Sequence, residues 1–175
     1  RLAFIPDLVS EPRVLFCGSL RYPPNADGLR WFWREVWPHV VRSAAAARLT
    51  VVGSGGQPQD FPEVAADPRV DFAGEVPDVA AFYSRAAVAV CPLRFGSGTR
   101  LKILEAMSLG APVVSTRKGA EGIECEHDRH LLLADAPDDF AAAVVRLLTD
   151  RQAAQRLRRA ARMMVEQRYD WDRVA

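Results

Sequence analysis

The stretch that most restricts what this chain can become is residues 87–116, AVAVCPLRFGSGTRLKILEAMSLGAPVVST. Ala87 to Leu93 is an apolar run with Pro92 near its end, the pattern of a buried strand. Gly96-Ser97-Gly98 is a loop where backbone can approach a ligand closely. Thr99 to Leu109 is helical in pattern, with Leu101, Leu104 and Met107 recurring at helical spacing. Gly110 stops that helix, Pro112 lies just beyond, and Pro112 to Ser115 is the next strand.

The charges of this helix are unusual. Arg100 and Lys102 fall in its first turn, where the positive end of the macrodipole favours Asp or Glu. Two cations beside free N–H groups repel them unless an anion lies between, so loop amides, helix N-terminus and cations together describe a phosphate site. Glu105 follows Lys102 on the same face. It lies roughly 10 Å along the axis from Gly98, at about 1.5 Å per residue. That reach suits a carboxylate accepting the sugar hydroxyls of a nucleotide whose phosphates sit at the glycines. The competing account is a surface helix with a Lys102–Glu105 ion pair, worth roughly 0.2–0.5 kcal/mol and in the weaker order.

The rest of the chain repeats the alternation. Arg13 to Gly18 is a short strand, followed by the loop SLRYPPN, where Asn25 or Asp27 can cap a helix running to about Ala46. Pro38 kinks that helix or starts a second piece. Leu49 to Val52 is a strand, and the GSGGQP after it has the wrong glycine spacing for a dinucleotide loop. A short helix from Phe61 to Ala66, a strand from Arg69 to Ala73 and a helix from Asp78 to Arg85 lead into the central unit. After it come a strand from His130 to Ala134, a helix from Pro137 to Leu148 and an arginine-rich helix from Arg151 to Tyr169, whose cations read as a solvated face. Strands alternating with helices predict an α/β fold, a doubly wound, Rossmann-like parallel sheet of about six strands with helices on both faces. Ligands of such sheets bind beyond the carboxyl ends of the strands, at the point where strand order reverses. Arg21, Arg94, Arg100, Lys102, Arg117 and Lys118 all follow strands at that end.

Such a cation group has to be a local feature, because the net charge is only +1, which gives no reason to expect nucleic acid or an anionic membrane as partner. Three cysteines, two of them in strand-like runs, read as buried free thiols in a reducing compartment. The three histidines have no ligand spacing, so no metal is expected. No run is long and apolar enough to span a bilayer, and no signal peptide is recognisable. The chain opens on Arg1, and RLAFIPDLVSEP reads as a linker, which points to a fragment.

Three readings of the polyanion compete. A dinucleotide-dependent oxidoreductase needs G-x-G-x-x-G after the first strand, but GSLRYP stands there, and the later GSGTRL loop has Leu101 in the third glycine's place. A binding module without chemistry is the second. The third is the nucleotide-sugar-binding half of a sugar-processing enzyme. Here the chain resembles the C-terminal, donor-binding domain of the two-domain GT-B glycosyltransferases, in the retaining group called glycosyl transferases group 1. The carriers are VLFCGSLRYPPNADGLRWF, LTVVGSG, VDFAGEVPDVAAFYSRAAVAVCPL, GTRLKILEAMSLGAPVVSTRKGAEGI and YDWDRVA, from Val14 to Trp171.

The resemblance implies that Glu105, the second Glu of the family's E-x7-E motif, binds the donor ribose. Gly98 and Thr99 match backbone that holds the phosphates, Gly74 to Val76 match the turn where the base lies, and Gly18 matches the glycine after strand one. The first motif Glu, which touches the donor sugar, falls on Ser97, and the Arg after the first-strand glycine is Ser19. The family's loop lysine has no clear counterpart, which leaves Arg21, Arg100 and Lys102 as candidates for its work. The expected organisation is a linker over 1–12 from a missing N-terminal lobe, a donor-binding domain over 13–169, and the start of a C-terminal return segment over 170–175. The implied function is sugar transfer from a UDP- or GDP-sugar to an acceptor sugar or lipid-linked sugar on the absent lobe, in polysaccharide or glycoconjugate synthesis. No cofactor beyond the nucleotide-sugar substrate is expected, and the catalytic groups lie mainly on that lobe. The fragment alone is expected to bind donor without turnover. The full-length protein is expected in the cytoplasm, with a peripheral position at the inner face of the membrane as an option. A nucleotide-sugar 2-epimerase of the same fold is the related alternative.

Overall fold

The structure is a computed structural model that describes residues 11–98 and 100–169. Six strands form one parallel sheet: β1 (Arg13–Cys17), β2 (Arg48–Val52), β3 (Val70–Gly74), β4 (Val88–Cys91), β5 (Val113–Ser115) and β6 (Leu132–Leu133). Their order is β3-β2-β1-β4-β5-β6, so the winding reverses between β1 and β4. Phe16 sits opposite Val51 on one side and Val90 on the other, which fixes the register at the centre.

The inner strands β1, β4 and β5 are largely apolar on both faces because both faces are covered, whereas the edge strand β3 exposes Asp71 and Ala73. Val14, Phe16, Leu49, Val51, Val88 and Val90 pack under one helical layer, formed by α1 (Pro23–Trp31), α2 (Trp37–Ser43) and α6 (Pro137–Thr149). Leu15, Val52, Ala89, Cys91 and Val113 pack under the other, with Tyr83 of α4 (Ala80–Arg85) and Ile103, Ala106 and Met107 of α5 (Leu101–Ser108). The last helix, α7 (Arg151–Arg168), contributes Ala154 and Leu157 to the first cluster and Ala161, Met164 and Val165 to the second. A short α3 (Pro62–Ala65) lies between β2 and β3.

Several local expectations are revised. The first helix begins at Pro23 rather than near Ala26, since proline's fixed φ suits a first turn. Its N-cap is Tyr22 without a side-chain bond, so neither Asn25 nor Asp27 caps it. Of the two alternatives for Pro38, the second holds: after a π-helical turn over Phe32–Val36, Pro38 falls in the opening turn of a second piece, α2, where its missing N–H costs nothing. β4 stops at Cys91, because Pro92 cannot donate to a ladder. β6 is only two residues long and His130 precedes it. Leu101 is 56% exposed, so the buried face of α5 is Ile103, Ala106 and Met107 instead. Glycine does end α5. Gly110 has φ +80, its N–H bonds to Met107 O (3.1 Å), and the Ala111 N–H bonds to Ala106 O (2.9 Å), a full Schellman motif.

The arginine face of α7 is not simply solvated. The Arg158 side chain is buried and its Nε donates to Gly110 O (2.5 Å), while Arg162 donates to Ser108 O. Two cations thus cover the carbonyl end of α5, where the macrodipole is negative.

Candidate functional site

The site is built from what surrounds the N-terminus of α5 at the carboxyl edge of the sheet. Ile103 and Leu104 both donate their N–H groups to Arg100 O, and Arg100 offers no side-chain cap. The amides of Leu101 and Lys102 therefore have no partner among the described residues. In front of them Gly98 has φ +110, and a Cβ there would meet nothing within 4 Å. Gly96, at φ +101, is pressed against the start of α1: a Cβ would lie 2.7 Å from Pro24 and from Tyr22 Oη. Tyr22 Oη donates to Ser97 O (2.9 Å), which fixes the glycine loop. Thr99, expected beside Gly98, lies outside the described residues.

Two cations back this opening. Lys102 turns from α5 across the reversal point to the end of β1, where its Nζ donates to Asn25 Oδ1 at 2.5 Å. Asn25 in turn donates to Ser19 O (2.8 Å). A Cβ on Gly18 would come within 2.7 Å of that Nζ, so glycine is needed there for room. Burial pushes the Lys102 amine below the usual lysine range. The Arg100 side chain is only 4% exposed. Its Nη2 donates to Gly96 O (3.2 Å) and lies 3.6 Å from Glu121 Oε2, while its buried Nε has no partner among the described residues.

Glu105 does not pair with Lys102, and its carboxylate has no hydrogen bond or ion pair among the described residues. It is half-buried, and burial, with the charge of Asp78 next, raises its pKa above the usual range. Gly74, with φ +67, ends β3 and leaves open space at its Cα; its O accepts from Gly53 N (2.8 Å). Val76 packs at the edge of the second core cluster, on the route from Gly74 to Asp78. Arg21 is exposed at the β1 exit, with its stem against Gly55, and makes no ion pair among the described residues.

The expected field of six cations is smaller than the sequence suggests. Arg94 is held bidentate by Asp27 (2.6 and 2.9 Å), Arg117 pairs with Asp135 (3.3 Å), and Lys118 pairs with Glu121 (2.6 Å). Arg21, Arg100 and Lys102 carry what remains. The histidines stand away from the glycine loop: His130 Nδ1 accepts from Glu126 N (3.0 Å) and His127 Nδ1 from Leu133 N (2.9 Å), closing the turn before β6. Among the described residues no group of three His, Cys, Asp or Glu side chains is placed to hold a metal.

Asn25, Tyr22 and Glu121 are parts of the site whose roles sequence reasoning missed. Asn25 and Tyr22 act across the reversal point, from α1 to α5 and the glycine loop, and no local pattern signals such partners. Glu121 is visible as one acid in RKGAEG, but nothing there links it to Arg100.

A chain with this sheet order, and with a glycine loop opening onto a helix N-terminus at the strand-order reversal, is a doubly wound α/β lobe. The chain belongs to the glycosyl transferases group 1 family, whose profile matches residues 11–150. Among curated proteins it is 33% identical over 172 residues to a glycogen synthase of Mycobacterium tuberculosis, covering 93% of this chain and 40% of that protein. It is 26% identical over 168 residues to an uncharacterized 44.6 kDa protein in the cps region of Klebsiella pneumoniae, covering 92% of this chain and 43% of that one. The chain thus spans less than half the length of these relatives. Among solved structures, S. aureus TarM in complex with fondaparinux, α-GlcNAc-glycerol and UDP superposes with a TM-score of 0.83 at 18% identity. That match covers 98% of this chain and 35% of TarM, and the shared fold is one lobe of the GT-B arrangement.

Proposed function

We propose that this chain is the donor-binding lobe of a glycosyltransferase that takes a UDP- or GDP-sugar. The observation that carries the reading is the pair of amides at Leu101 and Lys102 that have no partner among the described residues, open through Gly98 and backed by the buried Arg100 and half-buried Lys102. The diphosphate sits there, with the Ser97 backbone at its edge. Lys102, brought to Gly18 and Asn25 by the fold, does the work of a loop cation. Arg21 closes the outer side. The ribose hydroxyls donate to Glu105, and the base lies along Gly74 to Val76. As the sugar leaves, negative charge grows on the β-phosphate, and preorganised amides and cations lower that barrier without reorganising. UDP in the TarM complex supports a nucleotide ligand for a lobe of this fold, as does family membership.

Residues 13–169 form the donor domain in this reading. The length by which the relatives exceed this chain supports an acceptor site elsewhere, on a lobe preceding residue 13. The reaction is sugar transfer to an acceptor sugar or lipid-linked sugar, in polysaccharide or glycoconjugate synthesis. Among the described residues no helix is long and apolar enough to cross a membrane. Titration calorimetry tests the reading: UDP or GDP is expected to bind, with NAD inert. Tight NAD binding and no response to either diphosphate would overturn it.

A further inference from the structure

Given the donor-binding reading, the structure also points to the group that reads the transferred sugar. The N-terminus of α5 lies between two carboxylates. Glu105 is on the β3 side, where Asp78 is the charge that acts on it. Glu121 is on the β5 side, in the loop that follows Thr116. Those two loops lie on opposite sides of the β1–β4 reversal in the sheet order. A nucleoside diphosphate sugar with its phosphates on the α5 amides and its ribose on Glu105 therefore projects its sugar toward Glu121.

Glu121 is built as a hydroxyl acceptor. Its side chain is 58% exposed, and Oε2 is anchored by Lys118 Nζ (2.6 Å) and faces Arg100 Nη2 (3.6 Å). Oε1 makes no bond among the described residues. A surface pair between Lys118 and Glu121 does not account for Arg100. That guanidinium is buried behind the glycine loop, with Nη2 bonded to Gly96 O and facing Glu121, and its Nε has no partner among the described residues. A buried guanidinium with an unpartnered donor beside the loop and Glu121 is costly unless polar groups of a ligand arrive there. We propose that Glu121 is a specificity-determining residue of the transfer reaction: its carboxylate, oriented by Arg100 and Lys118, accepts hydrogen bonds from hydroxyls of the donor's sugar.

Calorimetry on the chain with UDP, UDP-glucose, GDP and GDP-mannose tests this, comparing wild type with Glu121→Gln. In the base series that binds wild type more tightly, the variant is expected to lose about tenfold in affinity for the sugar nucleotide, as for a hydrogen bond to a charged group. Affinity for the bare diphosphate stays within twofold, and an unchanged melting temperature shows that the fold is intact. Equal loss for diphosphate and sugar nucleotide, or no loss for either, overturns the assignment of Glu121 while leaving the donor-binding reading standing. Wild type that binds neither diphosphate overturns both.

Discussion

Two side chains make opposite demands on the fold and are separable by pH. Glu105 has a raised pKa, so its contribution to stability is complete below the usual glutamate value of about 4.3 and is lost as pH rises through the folded-state value. Glu105→Gln is expected to leave the melting temperature at pH 7 unchanged or slightly higher, with the difference fading near pH 4. The same variant should lose roughly tenfold or more in UDP or GDP affinity, about 1.5 kcal/mol. Unchanged affinity with a large loss of stability would make Glu105 a structural group. Lys102 has a depressed pKa, caused first by burial, and a bound diphosphate next to it restores the charged form. Wild type is therefore expected to take up protons on binding UDP at alkaline pH below the usual lysine value of about 10.4, read from calorimetry in buffers of different ionisation enthalpy. Lys102→Met should bind more weakly and show no such uptake.

At the scale of elements, the β4 and β5 exits are locked to each other through a glycine. Gly119 N bonds to Thr116 Oγ1 (2.8 Å), and a Cβ on Gly119 would lie 2.4 Å from Ser115 Oγ and 2.7 Å from the backbone oxygen of Cys91. Backbone cannot yield as a flexible side chain does, so Gly119→Ala is expected to cost about 2 kcal/mol or more in urea unfolding. A cost under about 0.5 kcal/mol would mean that this loop adapts freely. The contrast with the rest of the sheet explains what the sequence made legible. All six strands and the glycine stop of α5 could be placed because apolar runs and Gly/Pro punctuation are local signals. The fate of the charges could not. Whether Arg94 faces a ligand or Asp27, or Arg158 faces water or Gly110 O, depends on contacts between residues far apart in sequence. The start of α1 was misplaced for a related reason: Asn25, a good cap by type, is engaged instead by Ser19 O and Lys102.

For the whole molecule, the groups proposed to hold the donor converge at the carboxyl edge of the sheet, around the N-terminus of α5. His127 and His130 close a turn by β6, and the cations beside the glycine loop stabilise charge but abstract no proton. The chain is expected to gain about 2.7 kcal/mol of stability from UDP or GDP at a hundredfold excess over Kd, seen as a concentration-dependent rise in melting temperature. It is not expected to transfer sugar by itself. The decisive assay compares donor consumption by this chain and by a longer natural chain that contains it, with the same acceptor pool. Comparable turnover by both would place all the catalytic groups here.

The cover that α7 lays over the far end of α5 bears on when the site comes into being. The glycine loop and α5 are synthesised before Arg158 and Arg162, yet among the described residues the carbonyls of Ser108 and Gly110 are satisfied only by those two arginines. Met107 and Leu109 likewise share a buried cluster with Ala161, Met164 and Val165 of α7. During synthesis the middle of the chain therefore waits for its end. A chain truncated after β6 already carries every proposed donor contact, but the helix that presents them is still uncovered at its carboxyl end.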